Sequence, residues 1–118
     1  MDNSGLWQEA AQDIYWYRKP GIVLDSSRAP FNRWFPDGVT NACYNALDLQ
    51  VEQGRGEQTA LTYDSPVTAT KRQYTYTQLL ADVARFAGSL AVSGFVYGYR
   101  VLLYSPIVRE AALESLPL

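Results

Sequence analysis

The 118 residues predict an α/β fold that is begun and not completed, and three observations carry that prediction. Residues 59–63 and 71–75 read as the two strands of a β-hairpin with a long connection. An amphipathic helix follows between Thr75 and Gly94, and residues 101–104 form a continuous apolar run of the kind found in a strand buried on both faces. Strand and helix in alternation imply a layered sheet, yet too few strands are present to complete one.

Taken in order, residues 6–17 place Trp7, Ala10, Ala11, Ile14 and Tyr15 at i, i+3, i+4, i+7 and i+8, one apolar face of a helix. Asn3 or Ser4 caps its start, Arg18 and Lys19 suit its negative end, and Pro20 stops it. Residues 21–25 are a short extended segment. A loop runs on through Pro30 to Phe31, Trp34 and Phe35 and closes on the turn signal Pro36-Asp37-Gly38. Asn41 caps a second helix, with Cys43, Ala46, Leu47 and Val51 on one side and Gly54 at its end. Gly54-Arg55-Gly56-Glu57 reads as a hinge between an irregular, Trp-rich half and a regular αβ half.

The second half is better patterned. Asp64-Ser65-Pro66 opens the hairpin loop, and Thr75 with Gln78 fits the capping box that satisfies two orphan backbone N–H groups. Leu79, Leu80, Val83, Ala84, Phe86, Ala87, Leu90 and Ala91 form the broad apolar face of the helix that follows. Gly94 stands where a left-handed C-cap belongs. After the run at 101–104, Ser105-Pro106 ends the strand and a further helix is expected over residues 108–116.

Composition removes several classes of function. Formal charge is −2 with acids and bases interleaved, so no basic stripe exists to neutralise a phosphate backbone, and nucleic acid is not an expected partner. No apolar run approaches the ~18–20 residues of a membrane span. The start is neither a secretory signal nor an Arg-rich presequence, and the expected location is the cytoplasm. Cys43 is the one cysteine and no histidine occurs, so triads built on Ser–His or Cys–His are impossible within the chain. Cys43 is read as a small buried apolar residue. Gly54-Arg55-Gly56 follows a helix and lacks the G-K-[ST] of a phosphate cradle, so it is read as a loop. Asp64 is read as a turn former, and Asp, Glu and Cys show no metal-ligand spacing. From the residues, then, no catalytic, cofactor-binding or metal site is expected.

The wording of several segments is nevertheless distinctive. Trp7-x-x-Ala10 with Ile14-x-Trp16-Tyr17, then Phe31-x-x-Trp34-Phe35, then Asn41-x-x-Tyr44-Asn45-Ala46-Leu47-Asp48 occur in that order. Gly54-Arg55-Gly56-Glu57-Gln58-Thr59-Ala60-Leu61 follows, and Tyr63-Asp64-Ser65-Pro66-Val67-Thr68 precedes Thr70-Lys71 and Tyr74-Thr75-Tyr76. In this order and spacing the segments resemble the start of the acetyl- and propionyl-CoA synthetases, from Trp7 to about Ala112, with wording nearer the propionyl branch. Two departures stand out: Tyr97-Gly98-Tyr99 replaces a Lys-Gly-Asp-like turn, and Arg109 replaces a proline. From Leu113 the likeness fades, which points to a changed reading frame, an unspliced intron or a damaged gene.

The resemblance implies residues 1–57 as an amino-terminal extension and 58–118 as the truncated beginning of an AMP-binding, adenylate-forming domain. It implies a parent acid–thiol ligase that joins acetate or propionate to CoA with ATP and Mg²⁺, releasing AMP and pyrophosphate. The parent's phosphate loop, pockets and catalytic lysine fall beyond the matched segment. The expectation is therefore an inactive fragment that binds none of those cofactors and is marginally stable alone. The partner expected is a full-length synthetase or the remainder of the domain, with a non-catalytic docking module as the alternative function.

Overall fold

The computed structural model describes residues 4–66, 69–96, 98–104, 115 and 116. The chain divides into two compact units, Met1–Asn45 and Ala46–Leu118.

In the first unit, helix α1 (Ser4–Ala10) passes into a 3₁₀ turn, Ala11–Asp13, and Ile14 is already extended. The helix is thus shorter than its apolar spacing predicts, because distant partners claim the chain beyond it. The Trp16 indole N–H donates to Ala11 O at 2.8 Å, occupying a carbonyl that another helical turn would need. Asn45 holds the main chain of Tyr15 from both sides, accepting its N–H at 2.8 Å and donating to its carbonyl at 3.0 Å. The Asn45 amide also reaches Thr40 Oγ1 at 3.0 Å and Asn41 O at 2.9 Å, while the Thr40 hydroxyl donates to Tyr15 O at 2.7 Å. Arg18 pairs with Val39 in an antiparallel bridge rather than serving the end of a helix.

Strands β1 (Leu24–Asp25) and β2 (Arg33–Trp34) pair antiparallel, and Gly38 N–H to Phe35 O at 3.0 Å closes the expected turn. Asp37 in that turn accepts the N–H groups of Gly21 (2.9 Å) and Ile22 (3.2 Å), and its carbonyl accepts from Arg18 Nε at 2.8 Å. Aromatic rings fill the spaces between these segments: Trp7 against Trp34, Trp16 against Phe35, and Tyr15 and Tyr17 against Tyr44. Ring centroids are 5.0–5.6 Å apart in these four pairs, the offset and tilted range that ring quadrupoles favour.

A helical stretch over residues 42–55 follows, capped as expected by Asn41 Oδ1 accepting Tyr44 N–H at 2.9 Å. It contains two π-helical turns, Tyr44–Asp48 and Val51–Arg55, and Gly54 at φ 79° leaves the helical region. Leu47 is buried and Cys43 half-buried.

The second unit holds the expected hairpin. Strand β3 (Thr59–Ser65) pairs antiparallel with β4 (Thr70–Thr75) from Ser65↔Thr70 to Thr59↔Thr75, with a bulge between Thr59 and Leu61. Helix α2 (Tyr76–Val92) starts on the predicted capping box: Thr75 Oγ1 accepts Gln78 N–H at 3.3 Å, and Gln78 Oε1 accepts Thr75 N–H at 3.0 Å. Its end is a Schellman motif. Phe95 N–H bonds to Leu90 O and Gly94 N–H to Ala91 O, each at 3.1 Å, with Gly94 at φ 88°.

Two expectations need correction. Of the eight apolar residues on α2, only Leu79 and Val83 are buried, while Ala84 and Ala91 are exposed. Two strands are too narrow to cover so wide an apolar face. Residues 101–104 form no strand; Leu102 and Tyr104 are 90% and 100% exposed. A strand buried on both faces needs neighbours to ladder with, and among the described residues the second sheet has only β3 and β4. The expected helix at 108–116 lies outside the described residues except for Ser115 and Leu116.

Thr75→Ala removes a cap that binds its helix reciprocally and is expected to destabilise the second unit by about 1 kcal/mol, read from urea unfolding followed by far-UV circular dichroism. Asp37 gives a pH dependence. The Gly21 N–H, above all, holds its carboxyl below the ordinary 3.8. Its contribution to stability is therefore present above about pH 4 and is lost as pH falls through the lower folded value. Acid unfolding curves of wild type and Asp37→Asn are expected to converge at low pH and to separate above it.

Candidate functional site

A site for carboxylate activation would need a phosphate cradle, a base or a metal, and each can be sought from the backbone upward. Phosphate binding at a helix start depends on unpaired N–H groups. At α2 none of the first four remains. Thr75 N–H goes to Gln78 Oε1 and Gln78 N–H to Thr75 Oγ1. Tyr76 N–H goes to Gln58 O at 3.2 Å, and Thr77 N–H to Gly56 O at 3.0 Å. Gly56 and Gln58 are thereby tied to the start of α2 by main-chain bonds. Gly56 is there for room: an added Cβ would stand 2.6 Å from Thr77 Oγ1.

Four of the aspartates are similarly committed. Asp37 serves Gly21 and Ile22, as described above. Asp25 accepts Ser27 N–H at 2.9 Å, and that bond, aided by the Ser27 hydroxyl and the nearby Arg33 charge, lowers its pKa. Asp64 lies on β3 rather than in the loop and faces Lys71 at 3.2 Å. Asp82 pairs with Arg85 one turn along α2. An open depression beside that pair, lined by Gln73, Tyr74, Gln78, Ala81, Asp82 and Arg85, joins opposite charges that neutralise each other. Lowered carboxyl values make poor general bases near neutral pH, where a catalytic base is best poised.

Among the described residues no three or more Asp, Glu or Cys side chains gather where a metal ion could sit, and no helix is long and apolar enough to cross a membrane. Sequence reasoning did not anticipate every partner that the main chain finds. What it missed were structural ligands: Asn45, Trp16 and Asp37, each serving main chain 5–30 residues away. No periodic signal announces such partners.

Relatives supply what the geometry does not. Residues 1–46 match the family of the acetyl-coenzyme A synthetase N-terminus. The chain is 48% identical over 113 residues to an uncharacterized protein of Pseudomonas aeruginosa, covering 96% of this chain and 18% of that one. It is 40% identical over 115 residues to human acyl-CoA synthetase short-chain family member 3, mitochondrial, covering 98% and 17%. An acetyl-coenzyme A synthetase of Cupriavidus metallidurans is 40% identical over 113 residues, covering 95% and 17%. The chain thus spans less than a fifth of the length of these relatives. Over nearly all its own length it is similar in sequence to acyl-CoA synthetases, and its residues 1–46 match the model of the acetyl-coenzyme A synthetase N-terminus.

Proposed function

We propose that these residues serve as the amino-terminal region of a short-chain acyl-CoA synthetase and perform no chemistry by themselves. The observation that carries this reading is the near full-length alignment, at 40% identity, with synthetases more than five times longer. In the whole protein, a carboxylate of the acetate or propionate class, ATP and CoA would become acyl-CoA, AMP and pyrophosphate. ATP, Mg²⁺ and CoA would be held by residues other than those described above. Committed polar groups support this division of labour, since Asp25, Asp37 and the start of α2 are occupied by the chain's own backbone and side chains.

We assign residues 1–57 to the amino-terminal extension and 58–118 to the beginning of the AMP-binding domain. The cytoplasm is the proposed place of action. The human relative's name, which says mitochondrial, gives the competing address, and fractionation of the expressed protein decides between them.

A second reading, a non-catalytic module docking on a full-length synthetase, draws on Trp7, Trp34 and Phe31, which are 45%, 49% and 81% exposed. Large aromatic side chains left in solvent favour a partner surface. Retention of the chain by an immobilised full-length synthetase, lost in Trp34→Ala, is the result expected of that reading.

The main proposal is checked with the purified chain, ATP, Mg²⁺, CoA and either acetate or propionate. No pyrophosphate above the protein-free control is expected. Release that scales with the amount of this chain would overturn it.

A further inference from the structure

The hairpin of the second unit has two outer edges, and they are unlike in charge. Strand β4 carries Lys71 and Arg72 side by side, both exposed, a device that discourages another strand from adding to an edge. Strand β3 has the sequence Thr-Ala-Leu-Thr-Tyr-Asp-Ser, and its one charge, Asp64, is neutralised by Lys71 at 3.2 Å. Among the described residues β3 pairs with β4 alone, and no other main-chain bond reaches residues 59–64. Thr, Leu and Tyr also suit a pleated, half-buried ladder.

We propose that the outer edge of β3 pairs antiparallel with β3 of a second copy of this chain, about a two-fold axis at Thr62, making one four-stranded sheet from two hairpins. The register follows from complementarity. With the axis at Thr62, the two Thr62 residues face each other and Leu61 of each copy faces Tyr63 of the other. Ala60 faces Asp64, so no like charges are opposed. Thr–Thr and aromatic–aliphatic neighbours are favourable cross-strand pairs. Leu61 and Tyr63 are half-buried on one face of β3, whereas Thr62 and Asp64 are exposed on the other. Pairing at this seam would therefore continue the half-buried row from one hairpin into the next. Pairing through β4 would instead bring the cationic Arg72 and Lys71 of both copies to one seam, which is why the association is assigned to β3.

Light scattering on the purified full chain, from about 1 µM to about 1 mM, is expected to show a rise in mass from monomer to dimer, the range in which a small interface associates. Thr62→Lys places two like charges face to face on the axis and is expected to raise the dimer Kd by about fivefold or more, with unchanged circular dichroism. Gln73→Lys, the same charge added to the other edge, is expected to leave the Kd as it was. Directly opposed antiparallel residues lie about 4.5–5.5 Å apart at Cα, within disulfide reach. Thr62→Cys is accordingly expected to give a disulfide-linked dimer on mild oxidation, its linkage distinguished from Cys43 by peptide mapping, while Gln73→Cys gives none. A monomer across the whole range, a dimer indifferent to T62K, or a chain that joins a full-length synthetase through β3 in place of itself would each overturn the proposal.

Discussion

Main-chain hydrogen bonding is the constraint on which the rest of this molecule depends. Irregular segments make up much of the first unit, and each carries N–H and C=O groups that a helix or sheet would otherwise pair. Asn45, Asp37, Thr40 and Trp16 take up that duty across gaps of 5 to 30 residues. In the second unit the start of α2 is closed by Thr75, Gln78, Gly56 and Gln58. Polar atoms engaged in this way are poor candidates for attack, proton transfer or ion binding. The order of the loops and the commitment of these polar atoms have a common origin.

Local chemistry was legible in the amino acids, and long-range chemistry was not. Thr75 and Gln78 are three residues apart, so their reciprocal bonds could be anticipated, as could the Gly94 C-cap and the two strands of the hairpin. The overlong first helix shows the opposite case. Nothing within residues 6–17 announces that Asn45 will seize Tyr15 from 30 positions away, or that an indole will occupy a carbonyl of the 3₁₀ turn. A periodic apolar pattern reports what a segment would bury as a helix, and tertiary partners decide whether it becomes one. The run at 101–104 failed for a related reason: strandness is a property of a pair, and the described residues supply no second member.

Kinship and chemistry are carried by different features of this chain. Kinship rests on Trp, Asn and Gly residues that turn out to be packing elements and main-chain ligands. Trp7 and Trp34 touch, Trp16 closes a turn, Asn41 caps a helix and Asn45 staples an extended segment. The segments that resemble the synthetases thus hold residues that bind this chain's own main chain. The likeness is to a scaffold.

Gly56 shows how narrow steric tolerance can be. Its backbone torsions are ordinary for any amino acid, φ −51° and ψ −39°, so the glycine answers to crowding rather than to an unusual conformation. A single methyl group at that position would meet the Thr77 hydroxyl, which must turn aside to admit it. Seams of this kind make the smallest side chain the most demanding one. Here the first turn of a seventeen-residue helix meets its loop across a gap that one added carbon would narrow to 2.6 Å from a hydroxyl.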